Sequence, residues 1–146
     1  MRTSIVIEEQ GLHNVAETLL SLFTPQSGAS VLALQGDLGA GKTALTKAIA
    51  CVLGIEKLVT SPTFVIMKSY TVPVSQKFTM LTHIDAYRIE SDDELRVLGF
   101  EELLKDSKRL MVIEWPERIK DQIPLSALYV RIEIGQNGER IITYGD

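Results

Sequence analysis

The sequence Gly36-Asp37-Leu38-Gly39-Ala40-Gly41-Lys42-Thr43 decides how the rest of this chain is interpreted. It matches G-x-x-x-x-G-K-[ST], the pattern of phosphate-binding loops. The apolar run before it, residues 31–34, has the size of a buried strand. Behind it, apolar residues recur at helical spacing through Leu53, and Gly54 suits the end of a helix. Strand, glycine loop and helix form the context in which this motif binds phosphate.

The chemistry of the loop follows from its residue types. Glycines let the backbone turn tightly and approach an anion, and the N–H groups at the start of a helix attract negative charge. We expect Lys42 to reach the outer phosphates and the Thr43 hydroxyl to bind Mg²⁺. The alternative is a glycine-rich turn that only connects a strand to a helix. The predicted nucleotide-binding residues are Gly36, Asp37, Leu38, Gly39, Ala40, Gly41, Lys42, Thr43 and Ala44.

Length and composition limit the class of protein. A chain of 146 residues predicts one domain, 1–146, with a substantial core. The net charge of −4 argues against a generally basic surface for nucleic acid. The single cysteine, Cys51, has no intrachain partner, which favours a reducing compartment. Without a signal-peptide core or a membrane-length apolar run, we expect a cytoplasmic protein that does not bind membranes.

Strand and helix signals alternate along the chain. They predict an α/β protein with a three-layer, P-loop NTPase-like fold and a mixed sheet that includes antiparallel strands and a C-terminal hairpin. The predicted strands are residues 4–7, 31–34, 64–72, 77–84, 110–113, 129–134 and 140–144. The predicted helices begin near residues 12, 44, 91 and 100. Residues 64–72 and 77–84 are expected to pair antiparallel across a short turn, and Asn137-Gly138 to turn the last hairpin.

Two acidic residues directly follow predicted strands, as the glycine loop does. Ligands of open α/β sheets bind beyond the carboxyl ends of the strands, so Asp85, Glu114 and the loop would meet at one rim if these strands run parallel. We predict Thr43 and Glu114 as metal ligands, directly or through water. Lys42, Asp85 and Glu114 are the predicted catalytic residues, with Asp85 positioning the attacking water or a metal-bound water. The structural alternatives are a surface acid for Glu114 and a turn residue for Asp85.

Other polar and aromatic positions leave two interpretations open. Ser61, Pro62, Thr63 and Phe64 form either a loop that responds to the nucleotide or a helix-to-strand connection whose hydroxyls cap backbone groups. Trp115 either lies against the nucleotide or fills the core. His83 is expected to pack at the end of its strand.

Four motifs together resemble one family. They are the glycine loop, Ser61-Pro62-Thr63-Phe64, His83-Ile84-Asp85-Ala86-Tyr87-Arg88 and Glu114-Trp115-Pro116-Glu117. In this order and spacing they resemble TsaE, the small bacterial P-loop ATPases of tRNA threonylcarbamoyladenosine biosynthesis. The resemblance extends from the first helix to Arg118.

The resemblance implies a function and a set of partners. Such a chain binds and hydrolyses ATP with Mg²⁺, weakly when alone. It supports turnover of the TsaD and TsaB proteins, which transfer threonylcarbamoyl to adenosine 37 of tRNAs that read ANN codons. Its link to tRNA is indirect, through that complex, and direct contact with tRNA is left open. Lys42 would hold phosphates, Thr43 and Glu114 would hold Mg²⁺, and the Ser61 to Phe64 loop would respond to the nucleotide.

Other functions fit the glycine loop as well. A small-molecule or nucleotide kinase would need a lid, and residues 85–110 are few for one. A GTPase would carry an Asn-Lys-x-Asp segment, which this sequence lacks. An assembly factor that uses ATP binding alone is the third alternative.

Overall fold

The computed structural model describes residues 1–6, 8–56, 59–60, 65–73 and 77–145. The predicted nucleotide-responsive loop, Ser61 to Phe64, lies outside the described residues. Within them, the strands are β1 (Arg2–Val6), β2 (Ser30–Gln35), β3 (Met67–Thr71), β4 (Met80–Asp85), β5 (Arg109–Glu114), β6 (Leu128–Ile134) and β7 (Arg140–Tyr144). The helices are α1 (Glu9–Ser21), α2 (Lys42–Val52), α3 (Asp92–Val97) and α4 (Phe100–Leu104), with 3₁₀ segments at Ala86–Arg88 and Pro116–Gln122.

The described strands form one seven-stranded mixed sheet in the order β1-β7-β6-β2-β5-β4-β3. At its centre, β2 pairs in parallel with both β5 and β6, and β5 pairs in parallel with β4. The pairs β3–β4, β6–β7 and β1–β7 are antiparallel. The predicted antiparallel pair and the C-terminal hairpin are therefore confirmed.

Helices cover both faces of the sheet, which confirms the three-layer expectation. On one face, α1 and α2 bury Leu19, Leu45 and Ile49 against the strands. On the other face, α3, α4 and the 3₁₀ segments contribute Leu95, Phe100, Ala86 and Ile119 to a second cluster. A parallel strand covered on both faces should be apolar along its whole length, and residues 30–34 of β2 are all buried.

Several strand boundaries differ from the sequence-based expectation. β3 begins at Met67 instead of residue 64, β4 begins at Met80 instead of residue 77, and β5 includes Glu114, which was expected just after it. The first strand begins at Arg2 instead of residue 4, because its pairing with β7 extends to Arg2 opposite Tyr144. Asp85 was expected just beyond its strand but is the last residue of β4, because it is the register partner of Glu114 on β5. Among the described residues, no helix combines the length and apolarity needed to cross a bilayer.

Candidate functional site

Three parallel strands bring the predicted site residues to one rim of the sheet. The glycine loop follows β2, and β4 and β5 end side by side at Asp85 and Glu114. The meeting predicted from the sequence is therefore confirmed. Together they line a cavity of about 240 Å³ whose walls are Leu38, Gly39, Gly41, Lys42, Thr43, Ala44, Asp85, Glu114 and Trp115.

Glycines shape the loop in two different ways. Gly39 and Gly41 have φ angles of 80° and 110°, which side chains of L-residues disfavour. At Gly36 there is no room for a side chain, because a Cβ there would lie 2.7 Å from the carbonyl oxygen of Ile132 on β6. The loop is thus held close to the neighbouring strand while its backbone curves into the start of α2.

Lys42 is the first residue of α2, and its side chain is folded back under the loop. The residue is only 5% exposed, and its Nζ donates to the carbonyl oxygens of Gly36 and Asp37 at 2.5 and 3.0 Å. Burial lowers the pKa of Lys42 below its ordinary value, against the opposing attraction of acids that include Glu114 and Asp85. A desolvated ammonium at the end of a helix dipole attracts an anion such as a phosphate.

Glu114 stands at the centre of a buried polar group. It is 4% exposed, and its Oε2 accepts hydrogen bonds from the Thr43 hydroxyl at 3.5 Å and His83 Nε2 at 2.5 Å. One hydroxyl and one carboxylate fit Mg²⁺, which keeps several waters and takes further oxygens from phosphates. The described residues contain no cluster of three or more His, Cys, Asp or Glu side chains suited to a metal, so phosphate oxygens and water would complete any such shell.

Asp85 takes the turn role that the sequence left as one alternative, and its role towards a water stays a prediction. One carboxylate oxygen, Oδ1, accepts from the backbone N–H of Tyr87 at 3.0 Å and begins the 3₁₀ segment Ala86–Arg88. The residue is 7% exposed and still lines the cavity beside Glu114. This hydrogen bond holds the carboxylate at the rim, where a phosphate or a water would be bound.

Trp115 forms the aromatic wall of the cavity. Its φ of 56° places the residue in the left-handed region, which for a non-glycine residue costs roughly 1–2 kcal/mol. The ring lies over Lys42, with Nζ 4.4 Å from the ring centroid, and contacts the ring of Tyr87 at a centroid distance of 5.0 Å. The ring therefore helps hold Lys42 in place, and its contact with a nucleotide stays a prediction.

Two residues lie at the site that were not predicted to belong to it. His83 shares a strand face with Asp85 by simple alternation, and that spacing was the available signal for its contact with Glu114. Arg140 begins β7, and its Nε lies 3.3 Å from the position that a Cβ on Gly41 would occupy. No local pattern links Arg140 to the loop, because only the order of strands in the sheet brings them together.

Open space flanks the loop on both sides. A cavity of about 430 Å³ lies towards β6, between Asp37, Trp115 and Arg131. Another, of about 610 Å³, is bordered by residues of both α1 and α2, among them Gln10 and Thr43. A ligand whose phosphates occupied the loop would have room for its remaining atoms on either side.

A glycine loop between a buried parallel strand and a helix, facing acids at the ends of two adjacent parallel strands, places this chain in the P-loop NTPase-like α/β class. A family model described as "Threonylcarbamoyl adenosine biosynthesis protein TsaE" matches residues 6–142. The chain belongs to the TsaE family, as its four motifs indicated.

Individual relatives agree with this assignment. The tRNA threonylcarbamoyladenosine biosynthesis protein TsaE of Bacillus subtilis is 42% identical over 114 residues, 78% of this chain and 68% of the relative. The protein of the same name from Rickettsia bellii is 32% identical over 139 residues, 94% of this chain and 90% of the relative. The crystal structure of Bacillus subtilis YdiB superposes with a TM-score of 0.76 at 29% identity, covering 98% of this chain and 83% of YdiB.

Proposed function

We propose that this chain is a Mg²⁺-dependent ATPase of the machinery that forms N6-threonylcarbamoyladenosine at position 37 of tRNAs reading ANN codons. It supports turnover of the TsaD–TsaB transferase and does not transfer the group itself. The observation that carries the ATPase proposal is the convergence of Lys42, Thr43, Asp85 and Glu114 on one cavity beneath the glycine loop. Membership of the TsaE family supports the tRNA pathway, and the cytoplasm is the proposed location.

In the proposed reaction, water attacks the γ-phosphorus of ATP and releases ADP and inorganic phosphate. Catalysis of this kind is mostly positioning and stabilisation of charge. The loop N–H groups and Lys42 bind the phosphates, and Asp85 orients water at the rim. Thr43 and Glu114 would hold Mg²⁺, which neutralises phosphate charge when bound.

We expect the activity of the isolated chain to be weak. Lys42 is the one cationic side chain among the described residues that line the cavity. P-loop enzymes commonly need a further cation at the transition state, and a partner can supply it. TsaD–TsaB should therefore raise the rate.

The segment between β4 and β5 favours an ATPase over the alternative of a kinase. A kinase needs an element that closes over its acceptor. Here α3 and α4 pack against the sheet, with Leu95 and Phe100 only 3% and 2% exposed. A segment anchored in the core by these side chains is poorly suited to act as a moving lid.

Steady-state ATP hydrolysis, measured alone and with purified TsaD–TsaB, tests the proposal. We expect slow hydrolysis alone, a clear increase with the partners, and loss of both in Lys42→Ala. Equal rates with and without the partners would contradict the proposed stimulation. A phosphorylated product from a panel of metabolites would favour the kinase.

The assembly-factor alternative requires a different comparison. An Asp85→Ala variant should bind ATP, hydrolyse it poorly, and fail to support repeated rounds of tRNA modification. If that variant sustains many rounds, then ATP binding alone is sufficient and the hydrolytic role is wrong.

A further inference from the structure

His83 is a fully buried polar residue beside the candidate metal ligand. It lies on β4 opposite Val112, so Glu114 is two residues further along β5 on the same face of the sheet. The residue is 0% exposed, and Nε2 is 2.5 Å from Oε2 of Glu114. An ionised carboxylate can only accept, so Nε2 is the donor when Glu114 is charged, as a carboxylate that binds a metal is.

Stability alone does not account for an imidazole at this position. The neighbouring positions on the same face, Leu81, Leu110 and Val112, are apolar and 0–1% exposed. Within the described residues, Nδ1 of His83 is buried without a hydrogen-bond partner. A buried unsatisfied nitrogen costs free energy, and an apolar side chain would avoid that cost. Nε2 contacts the Glu114 carboxylate and Nδ1 has no partner among the described residues, so the hydrogen bond of this imidazole acts on that carboxylate.

We propose that His83 is a positioning residue that orients the Glu114 carboxylate for the cation of a bound nucleotide. The terminal torsion of a glutamate is broad, so an unrestrained carboxylate can present either edge. His83 restrains Oε2, the same oxygen that Thr43 contacts. Partners that orient a metal-binding carboxylate commonly change metal affinity or activity by about 10–100-fold when they are removed.

This inference rests on the proposed function, because it concerns Mg²⁺ bound with a nucleotide. A pair of variants separates orientation from burial. His83→Gln can place an amide N–H near the Nε2 position, whereas His83→Asn is too short to reach Glu114. Both variants put a neutral amide into the same buried space.

The measurement is ADP binding by calorimetry across a Mg²⁺ titration and in EDTA, with thermal unfolding of each variant. We expect His83→Asn to weaken the apparent Mg²⁺ affinity of the ADP complex by about tenfold or more, the range for such partners. His83→Gln should stay near wild type, and ADP binding in EDTA should be similar in all three proteins. If His83→Asn does not fold, His83→Met provides the comparison, since it keeps the length of His83→Gln without a donor.

The outcomes separate the inference from the proposed function. Identical Mg²⁺ dependence in wild type, His83→Gln and the variant without a donor overturns the positioning role alone. Equal weakening of ADP binding with and without Mg²⁺ also overturns it, because the residue would then be structural. If the ADP affinity of the wild-type protein does not depend on Mg²⁺, both the inference and the proposed function are contradicted.

Discussion

Replacing Gly36 by alanine should push the glycine loop away from the sheet. An added Cβ would lie 2.7 Å from the backbone oxygen of Ile132 and 3.3 Å from the Cβ of Ala40. Contacts below 3.0 Å essentially never occur for a real Cβ. The first contact is with the backbone of a central strand, so the loop must move and not β6.

The size of the effect follows from these contacts. Forcing one extra methyl group into a packed site typically costs about 1–3 kcal/mol. The movement also displaces the carbonyl oxygens of Gly36 and Asp37, which accept the hydrogen bonds of Lys42. We therefore expect lower stability together with weaker ADP binding.

Two other glycines provide matched controls. Gly39 and Gly138 have nearly the same φ, 80° and 79°, and an added Cβ at either meets nothing within 4 Å. Alanine at each should cost roughly 1–2 kcal/mol of backbone strain. Gly39 lies in the loop and Gly138 in the β6–β7 turn, so only Gly39→Ala should also affect ADP binding.

Urea unfolding and ADP calorimetry of the three alanine variants test this reasoning. Gly36→Ala should lose stability and affinity, Gly39→Ala should lose both, and Gly138→Ala should lose stability alone. A Gly36→Ala protein with wild-type stability and ADP affinity would refute the close approach of the loop to β6. Loss of ADP binding in Gly138→Ala would show that strain in the turn reaches the loop, through Arg140, whose Nη1 donates to the Gly138 carbonyl at 2.9 Å.

Three further predictions concern single side chains. Lys42→Met should abolish ATP binding in calorimetry. Burial lowers the folded-state pKa of Lys42, so the unfolded chain holds that proton more tightly than the folded chain does. The free energy of unfolding of the wild type in urea should therefore rise relative to that of Lys42→Met as the pH increases towards 10.5. A rising difference in favour of Lys42→Met would contradict this sign. Arg140→Ala should weaken ADP binding about tenfold, because the variant would lose a hydrogen bond of roughly 1.5 kcal/mol from the guanidinium beside Gly41 to a phosphate. Unchanged ADP affinity would show that Arg140 does not contact the ligand. The backbone N–H groups of Glu90 and Ser91 donate to the Glu94 carboxylate and lower its pKa. The wild type should therefore be more stable than Glu94→Gln above pH 4.5, and this difference should vanish as the pH falls through the lowered pKa. ATP hydrolysis should be unchanged in the variant.

Local sequence signals were sufficient for the elements of the fold. The helix start at Ser91 is a capping box, in which Ser91 and Glu94 satisfy each other's backbone N–H groups. Gly54 takes a φ of 82° just beyond α2, as the end of a helix requires. These signals depend on residues within a few positions of each other, so the chain reveals them without its neighbours in space.

The meeting of the loop, Asp85 and Glu114 at one rim was predicted only on the condition that their three strands run parallel. The sequence placed the loop, Asp85 and Glu114 after strands, but parallel pairing of β2, β5 and β4 had to be assumed. The structure shows that pairing, with Asp85 and Glu114 in register. It also assigns one oxygen of Asp85 to the N–H of Tyr87, a contact that depends on how the chain turns after β4.

By itself, the sequence determined the glycine loop between a strand and a helix, the alternation of strands and helices, and the acids at the ends of strands, because each depends on neighbours along the chain. Only the tertiary structure decided that His83 contacts Glu114 and that Arg140 lies against Gly41. Both contacts join residues far apart in sequence, and their geometry depends on the order and register of strands. That order results from packing of the whole sheet between its two helical layers, which no local pattern encodes.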